Sequence, residues 1–354
     1  MIKVMSVTAF YFFIVSTCAG QVRALQYRDT VFSGVIVVPN LAYRSPLPAG
    51  KAGKGYHFDL YMPDATSASA VVAATPAIRP GNLQVSGRGT SGPAGRPLII
   101  WMHGGGFRFG SRKAAGARFW CTSFARRGYL CASIDYRMTV KKTLTSFPAL
   151  VKGCSIAVED AREAVAYFKA HYKTWNIDTN RIILGGNSAG GIIALQAAYS
   201  TPAELSKLAG DTARPTAGNA PLTGSGNEVS MAHSGTEASD TPPGGVAAVI
   251  NFWGALFETS WLNNARVPIV SVHGGNDHIV SAGRKGEHFF GSLSIHEKAD
   301  SLSIPNQLKI YNGYSHELQK HFNPFFTARA AKRRWQEAGQ FAADFLYGEV
   351  IAPK

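Results

Sequence analysis

The stretch Arg181-Ile182-Ile183-Leu184-Gly185-Gly186-Asn187-Ser188-Ala189-Gly190-Gly191 decides the fold. Arg181 to Leu184 reads as a short, buried strand, and Ala189 to Tyr199 reads as a helix. Between them, residues 186–190 fit the pattern G-x-S-x-G. A serine at a sharp strand-to-helix turn takes a strained backbone, and glycines two residues away on each side leave room for the turn to pack. The helix that follows directs free N–H groups at the same spot. This turn therefore aims Ser188 at a substrate as a nucleophile. An ordinary glycine-rich turn is the competing reading, and the strand before and helix after weigh against it.

A serine at such a turn belongs at the edge of an α/β sheet, and the flanking sequence agrees. Buried strands are expected at Pro97–Met102, Tyr129–Ile134, Val246–Phe252, Pro268–His273 and Gln307–Tyr311. Helices are expected at Ala114–Arg127, Ile156–Trp175, near Gly283–Leu293 and from Phe325 to Tyr347. This alternation implies a mostly parallel sheet with helices on both faces. Two earlier strands, Val31–Val38 and Tyr56–Met62, have no helix between them and suggest an antiparallel start. Two segments rich in Gly, Ser, Ala and Pro, 65–96 and 201–245, read as irregular inserts, the second a loop near the mouth of the site.

Ligands of such sheets sit beyond the carboxyl ends of the strands, so the residues after each strand matter most. Met102 is followed by His103-Gly104-Gly105-Gly106-Phe107. Three glycines let backbone N–H groups approach a ligand closely, and each such donor stabilises a developing oxyanion by about 3–4 kcal/mol. His103 reads as the residue that holds this loop. A serine nucleophile also needs a base and an acid that orients it. Asp277 follows the strand ending at His273, whereas Glu297 and Asp300 follow no strand. His316 lies in the loop after the last strand, with His278 and His321 as its rivals, and His273 reads as structural.

These residues together resemble the carboxylesterase and hormone-sensitive-lipase-like branch of the α/β-hydrolase superfamily. The resemblance rests on "HGGGF", "DYR" at Asp135–Arg137, "GNSAGG", "HGGNDHIV" and "GYSHE", which occur in that order, with "YHFDLYMPD" upstream. It implies Ser188 as nucleophile, His316 as base and Asp277 as acid. It also implies Gly105, Gly106 and Ala189 as the oxyanion hole, a mainly structural "DYR", and no cofactor or metal. The implied substrate is a small-molecule or polysaccharide-borne carboxylic ester, with short acyl chains, including acetyl or feruloyl groups, favoured in the absence of a firm helical cap. A peptidase of the same fold is one alternative, though it normally needs an additional specificity domain for which this chain leaves no room. A non-catalytic binding protein on a hydrolase scaffold is the other, and no triad residue is missing.

Composition sets the remaining bounds. The 354 residues fit one large α/β domain, and a formal net charge of +14 raises the question of an anionic partner. The lysines and arginines are mostly scattered. The one cluster, Lys332-Arg333-Arg334, reads as a solvated helix face, and no nucleic-acid motif is present. Lys3, the apolar run Val4–Val15 and the small residues Ser16–Gly20 read as a secretory signal over residues 1–24, too short for a membrane span. Cleavage after Ala19, Gly20 or Ala24 fits, with lipid attachment at Cys18 as the alternative. The catalytic domain is then 25–354, in an exported protein. Of Cys121, Cys131 and Cys154, at most one pair can bridge. Three buried thiols are favoured slightly over a Cys121–Cys154 bond, and no cysteine spacing suits structural zinc.

Overall fold

The structure is a computed structural model that describes residues 26–44, 56–67, 95–139, 146–210, 245–323 and 328–352. Residues 1–24, which the sequence leads one to expect as a secretory signal, with Cys18, and most of both inserts, lie outside the described residues. Eight strands form one sheet: β1 (Val35–Ala42), β2 (His57–Pro63), β3 (Arg96–Met102), β4 (Leu130–Ile134), β5 (Ile177–Asn187), β6 (Ala248–Phe252), β7 (Ile269–Gly274) and β8 (Asn306–Tyr311). Their spatial order is β1-β2-β4-β3-β5-β6-β7-β8. The pairs β1–β2 and β2–β4 are antiparallel and every later pair is parallel, as the missing helix between the first two strands implied.

Alternation along the strands builds two cores. Leu98, Ile100 and Met102 of β3 join one cluster, and Ile99 and Trp101 join the other. Successive strand side chains point to opposite faces, so β3 is apolar throughout because helices cover both sides. One face packs on α2 (Phe147–Ala170) and α4 (Ala189–Tyr199). The other packs on α1 (Ala115–Ala125) and α7 (Arg329–Leu346). Each fully buried Leu or Ile contributes roughly 1.5–3 kcal/mol by leaving water. α4 is buried around its whole circumference, which matches its lack of charged residues.

Several expected boundaries move, each for a local reason. β1 begins at Val35, because the N–H groups of Val31 and Phe32 donate to Arg126 O at the end of α1 instead of to a strand. α2 starts well before Ile156, where Ser146 caps its first turn ahead of Pro148. It ends at Ala170, and a single turn, α3 (Tyr172–Trp175), leads into β5. The expected loop from Thr201 instead opens with α5 (Pro202–Leu208), held by a capping box between Thr201 and Glu204. The helix expected near 283–293 is displaced to α6 (Ser292–Ser301). Residues 284–290 are tied by bridges of Phe290 to Leu256 and Arg284.

The three described cysteines are buried thiols. Cys121 and Cys154 belong to opposite faces of the sheet, so the Cys121–Cys154 pairing is ruled out. Cys121 instead lies beside Cys131, with the sulfurs 2.8 Å apart. The basic cluster is likewise only partly a solvated face. Lys332 and Arg333 are exposed, while Arg334 Nε donates to Leu318 O at 2.7 Å and its guanidinium lies 3.9 Å from the centre of the Tyr314 ring. Among the described residues, no helix is long and apolar enough to cross a membrane.

Candidate active site

β5 runs directly into α4, and Ser188 occupies the junction with φ 56° and ψ −122°. A non-glycine residue in such a region costs on the order of 1–3 kcal/mol, so the surroundings must hold it there. The two flanking glycines show how. A Cβ at Gly190 would lie 2.0 Å from Met102 O, and one at Gly186 would lie 2.3 Å from Gly190 C. Only glycine lets β3, β5 and α4 close on one another at this point. Ser188 N donates to Phe252 O at 2.9 Å, which pins the turn to β6.

Two loops, after β7 and after β8, bring the predicted partners to this serine. His316 Nε2 lies 2.9 Å from Ser188 Oγ, and His316 Nδ1 lies 2.7 Å from Asp277 Oδ2. With the carboxylate accepting from Nδ1–H, Nε2 is left free to accept the serine proton. All three side chains are nearly buried, Ser188 at 9% exposure, Asp277 at 5% and His316 at 2%. The sequence rivals stand elsewhere. His278, His321 and Glu297 are exposed, and Asp300 accepts a bond from Asn306 on the far side of α6.

Asp277 is held on every side. Its Oδ1 accepts the backbone N–H groups of Ile279 at 2.9 Å and Val280 at 3.0 Å. Burial pushes its carboxyl up, but hydrogen bonds from His273 and His316 more than offset this and hold it well below the usual carboxylate range. His273, taken from sequence as structural, sits 3.5 Å from Asp277 Oδ2 and bonds Val280 O at 2.9 Å. Its other nitrogen meets Ser292 Oγ at 2.7 Å, and Asn251 Nδ2 donates to both Ser292 and Ser271. Sequence spacing carried no sign of this network, because its members come from β6, β7 and α6.

The His316 loop is fastened from α7. Glu317 and Leu318 both take positive φ, and their carbonyls accept from Trp335 Nε1 at 2.8 Å and Arg334 Nε at 2.7 Å. Phe322 stands edge-on to the His316 ring at 5.0 Å, and Trp253 at 6.5 Å. None of Trp253, Phe322, Arg334 and Trp335 was singled out for the site from sequence.

The glycine loop after β3 lies against Ser188. A Cβ at Gly104 would come within 3.4 Å of Ser188 Cβ. Gly105 has φ 126° and Gly106 has φ 59°, and a Cβ at Gly105 would meet Phe109 O at 2.1 Å. Ala189 is the first residue of α4, so its N–H has no acceptor inside the helix. His103 holds the loop as expected: Nδ1 bonds Gly104 O at 2.7 Å, and its ring stacks on Tyr136 at 4.3 Å. The far end of the loop is clamped by Arg112, which is ion-paired to Asp59 at 2.7 Å and to Asp135. Arg137 pairs with Asp160 at 2.8 Å, so both charged residues of "DYR" serve structural ion pairs.

A family model described as BD-FAE matches residues 89–287, more than half of the chain. The chain belongs to the BD-FAE family. The BD-FAE match takes in the glycine loop, Ser188 and Asp277, and stops before His316. "Gut esterase 1" of Caenorhabditis elegans is 28% identical over 29% of this chain and 18% of its own length. An AB hydrolase superfamily protein of Schizosaccharomyces pombe is 31% identical over 30% of this chain and 28% of its own. The match thus spans less than a third of either relative. An esterase of Thermogutta terrifontis, solved with propionate bound, covers 91% of this chain and 97% of its own, at 19% identity and a TM-score of 0.51. Its paraoxon-phosphorylated form gives a TM-score of 0.53. At that identity the likeness speaks for the fold, and this BD-FAE member has the α/β-hydrolase fold.

Proposed function

We propose that the protein is a serine esterase that cleaves carboxylic esters through an acyl-enzyme. The observation that carries this reading is the continuous hydrogen-bonded chain from Ser188 Oγ through His316 to Asp277. Ser188 Oγ attacks the acyl carbon while His316 Nε2 takes its proton. Asp277 orients the imidazole and stabilises the imidazolium that forms. The N–H groups of Gly105, Gly106 and Ala189 hold the oxyanion. His316 then gives its proton to the leaving alcohol, activates a water and releases the acid. The esterase names of the relatives support the reaction class, as does the paraoxon adduct of the Thermogutta terrifontis esterase.

Short acyl groups are the favoured substrates, a reading supported by neighbours solved with propionate and butyrate bound. Acetyl and feruloyl esters of polysaccharides fall within this proposal. Export is part of it, because the apolar run after Lys3 has the length and flanks of a secretory signal. N-terminal sequencing of the mature protein tests that element, and an intact Met1 in exported material removes it.

The reaction is tested with p-nitrophenyl acetate, butyrate, octanoate and palmitate, comparing wild type with Ser188→Ala. Turnover should be fastest on the short esters and fall by about 10⁶-fold in the variant, the scale seen when a triad serine is removed. Equal inactivity of both proteins on every ester overturns the proposal.

A further inference from the structure

The register of the sheet and the buried face of α1 together aim two thiols at each other. Ala117, Trp120, Cys121 and Phe124 form the buried stripe of α1, at the spacing of one helix face, and this stripe packs on the sheet. Cys131 is the second residue of β4 and is held on both sides, opposite Tyr61 of β2 and Ile99 of β3. Tyr61, Ile99 and Cys131 all belong to the core beneath α1, so the pleat of β4 points Cys131 at the helix. Both cysteines are fully buried, and their sulfurs meet at 2.8 Å. A disulfide brings its sulfurs to about 2.05 Å, so a shift of under about 1 Å would join them. Cys154 lies in the core on the opposite face, and the sheet stands between it and the pair.

We infer that Cys121 and Cys131 close into a disulfide as the chain folds beside a disulfide donor, a small-molecule or protein disulfide, while Cys154 stays a thiol. The exchange balances in two steps. One cysteine thiolate attacks a donor sulfur, the donor S–S bond breaks, and half of the donor leaves as a thiol. The second cysteine thiolate then attacks the mixed disulfide, forms the Cys121–Cys131 bond and releases the other half. Two cysteine thiols are oxidised, the donor disulfide is reduced to two thiols, and these take up the two cysteine protons. Closure belongs to folding rather than to the finished fold. Once buried beside Cys121, the Cys131 thiol is pushed well above its ordinary range, and the thiolate that must attack is no longer formed.

The bond would fasten α1 to the sheet across the turn at 126–129, and α1 follows directly on the loop that carries Gly105 and Gly106. The inference is independent of the chemistry at Ser188. Export would supply such donors, and synthesis of the chain outside a cell separates the two questions.

Cell-free synthesis of the full chain with reduced glutathione alone, or with an excess of oxidised glutathione, tests it. The folded fraction, selected by cooperative thermal unfolding, is denatured in acid, alkylated, digested with trypsin and mapped by mass spectrometry. Cys121, Cys131 and Cys154 fall on separate tryptic peptides, 119–126, 128–137 and 153–162. In the oxidised sample the first two peptides should be linked and the third alkylated. In the reduced sample all three should be alkylated. The thermal midpoint should be about 5 °C higher in the oxidised sample, the scale of one short-loop disulfide in a domain of this size. In Cys121→Ser the link should vanish and Cys131 should be alkylated. Alkylation of both Cys121 and Cys131 in the oxidised folded chain overturns the inference. So does a stable glutathione adduct on either one, or a bond from either to Cys154 or Cys18.

Discussion

The two halves of the site are held in place by different physics. The nucleophile side is built from backbone. Ser188 is fixed because Gly186 and Gly190 let three segments touch, and a Cβ on either would overlap main-chain atoms. The acid–base side is built from side-chain hydrogen bonds. Asp277 is fixed by two N–H groups and two imidazoles, and the His316 loop by Trp335 and Arg334. Steric exclusion is all-or-none, whereas a hydrogen-bond network loses its members one at a time. The nucleophile should therefore tolerate almost no change at its glycines, and the acid side should degrade in steps.

The largest effect outside Ser188 itself is expected from Asp277→Asn. The amide cannot stabilise the imidazolium and favours the wrong tautomer of His316, which should lower kcat by about 10⁴-fold with little change in KM. Steady-state kinetics on p-nitrophenyl acetate measures it, and a loss below tenfold would break the claim that the acid side matters to the chemistry. Gly190→Ala comes next. Its Cβ needs space taken by Met102 O, so the strand or helix must shift, at about 1–3 kcal/mol or more. Chemical denaturation should show stability falling together with activity, and retention of both would mean that the turn is looser than its contacts imply.

His273→Gln sharpens the same comparison from the other side. It removes a partner of Asp277 without touching Ser188 or His316, so a loss of about tenfold in kcat is expected, the worth of one buried hydrogen bond. KM and paraoxon labelling of Ser188 should persist. The smallest effect is in the pH dependence of stability. Asp277 titrates lower in the folded protein than in the unfolded chain, so between those two values the unfolded chain holds more protons. Its contribution is present above the ordinary carboxylate pKa of about 3.9 and is lost as pH falls below it. Thermal midpoints from pH 5 downward should therefore fall less steeply in Asp277→Asn than in wild type.

The same division explains what the sequence disclosed. The nucleophile turn and the glycine loop were legible because backbone geometry there depends on residues adjacent in the chain. That Ser188, Asp277 and His316 come together is legible because each follows a strand whose apolar pattern is local. His273 and Ser292 were not, since their roles depend on Asn251 and Val280, brought together only by the packing of β6, β7 and α6. The edge of β1 is not legible in the sequence for a similar reason. Val31 and Phe32 look like strand residues, and only the fold reveals that their N–H groups end at Arg126. Arg334 looked like one of three solvated charges, and its bond to Leu318 O is visible only once α7 is docked.

The central claim is that Ser188 is the nucleophile, activated by His316 and Asp277. Incubation with paraoxon followed by peptide mass spectrometry tests it most directly, since attack by Ser188 Oγ on phosphorus expels p-nitrophenolate and leaves a stable phosphoryl ester. The account predicts one phosphoryl group per chain, on the peptide containing Ser188, and none in Ser188→Ala. An adduct on another residue, or an unlabelled wild-type chain, would contradict it.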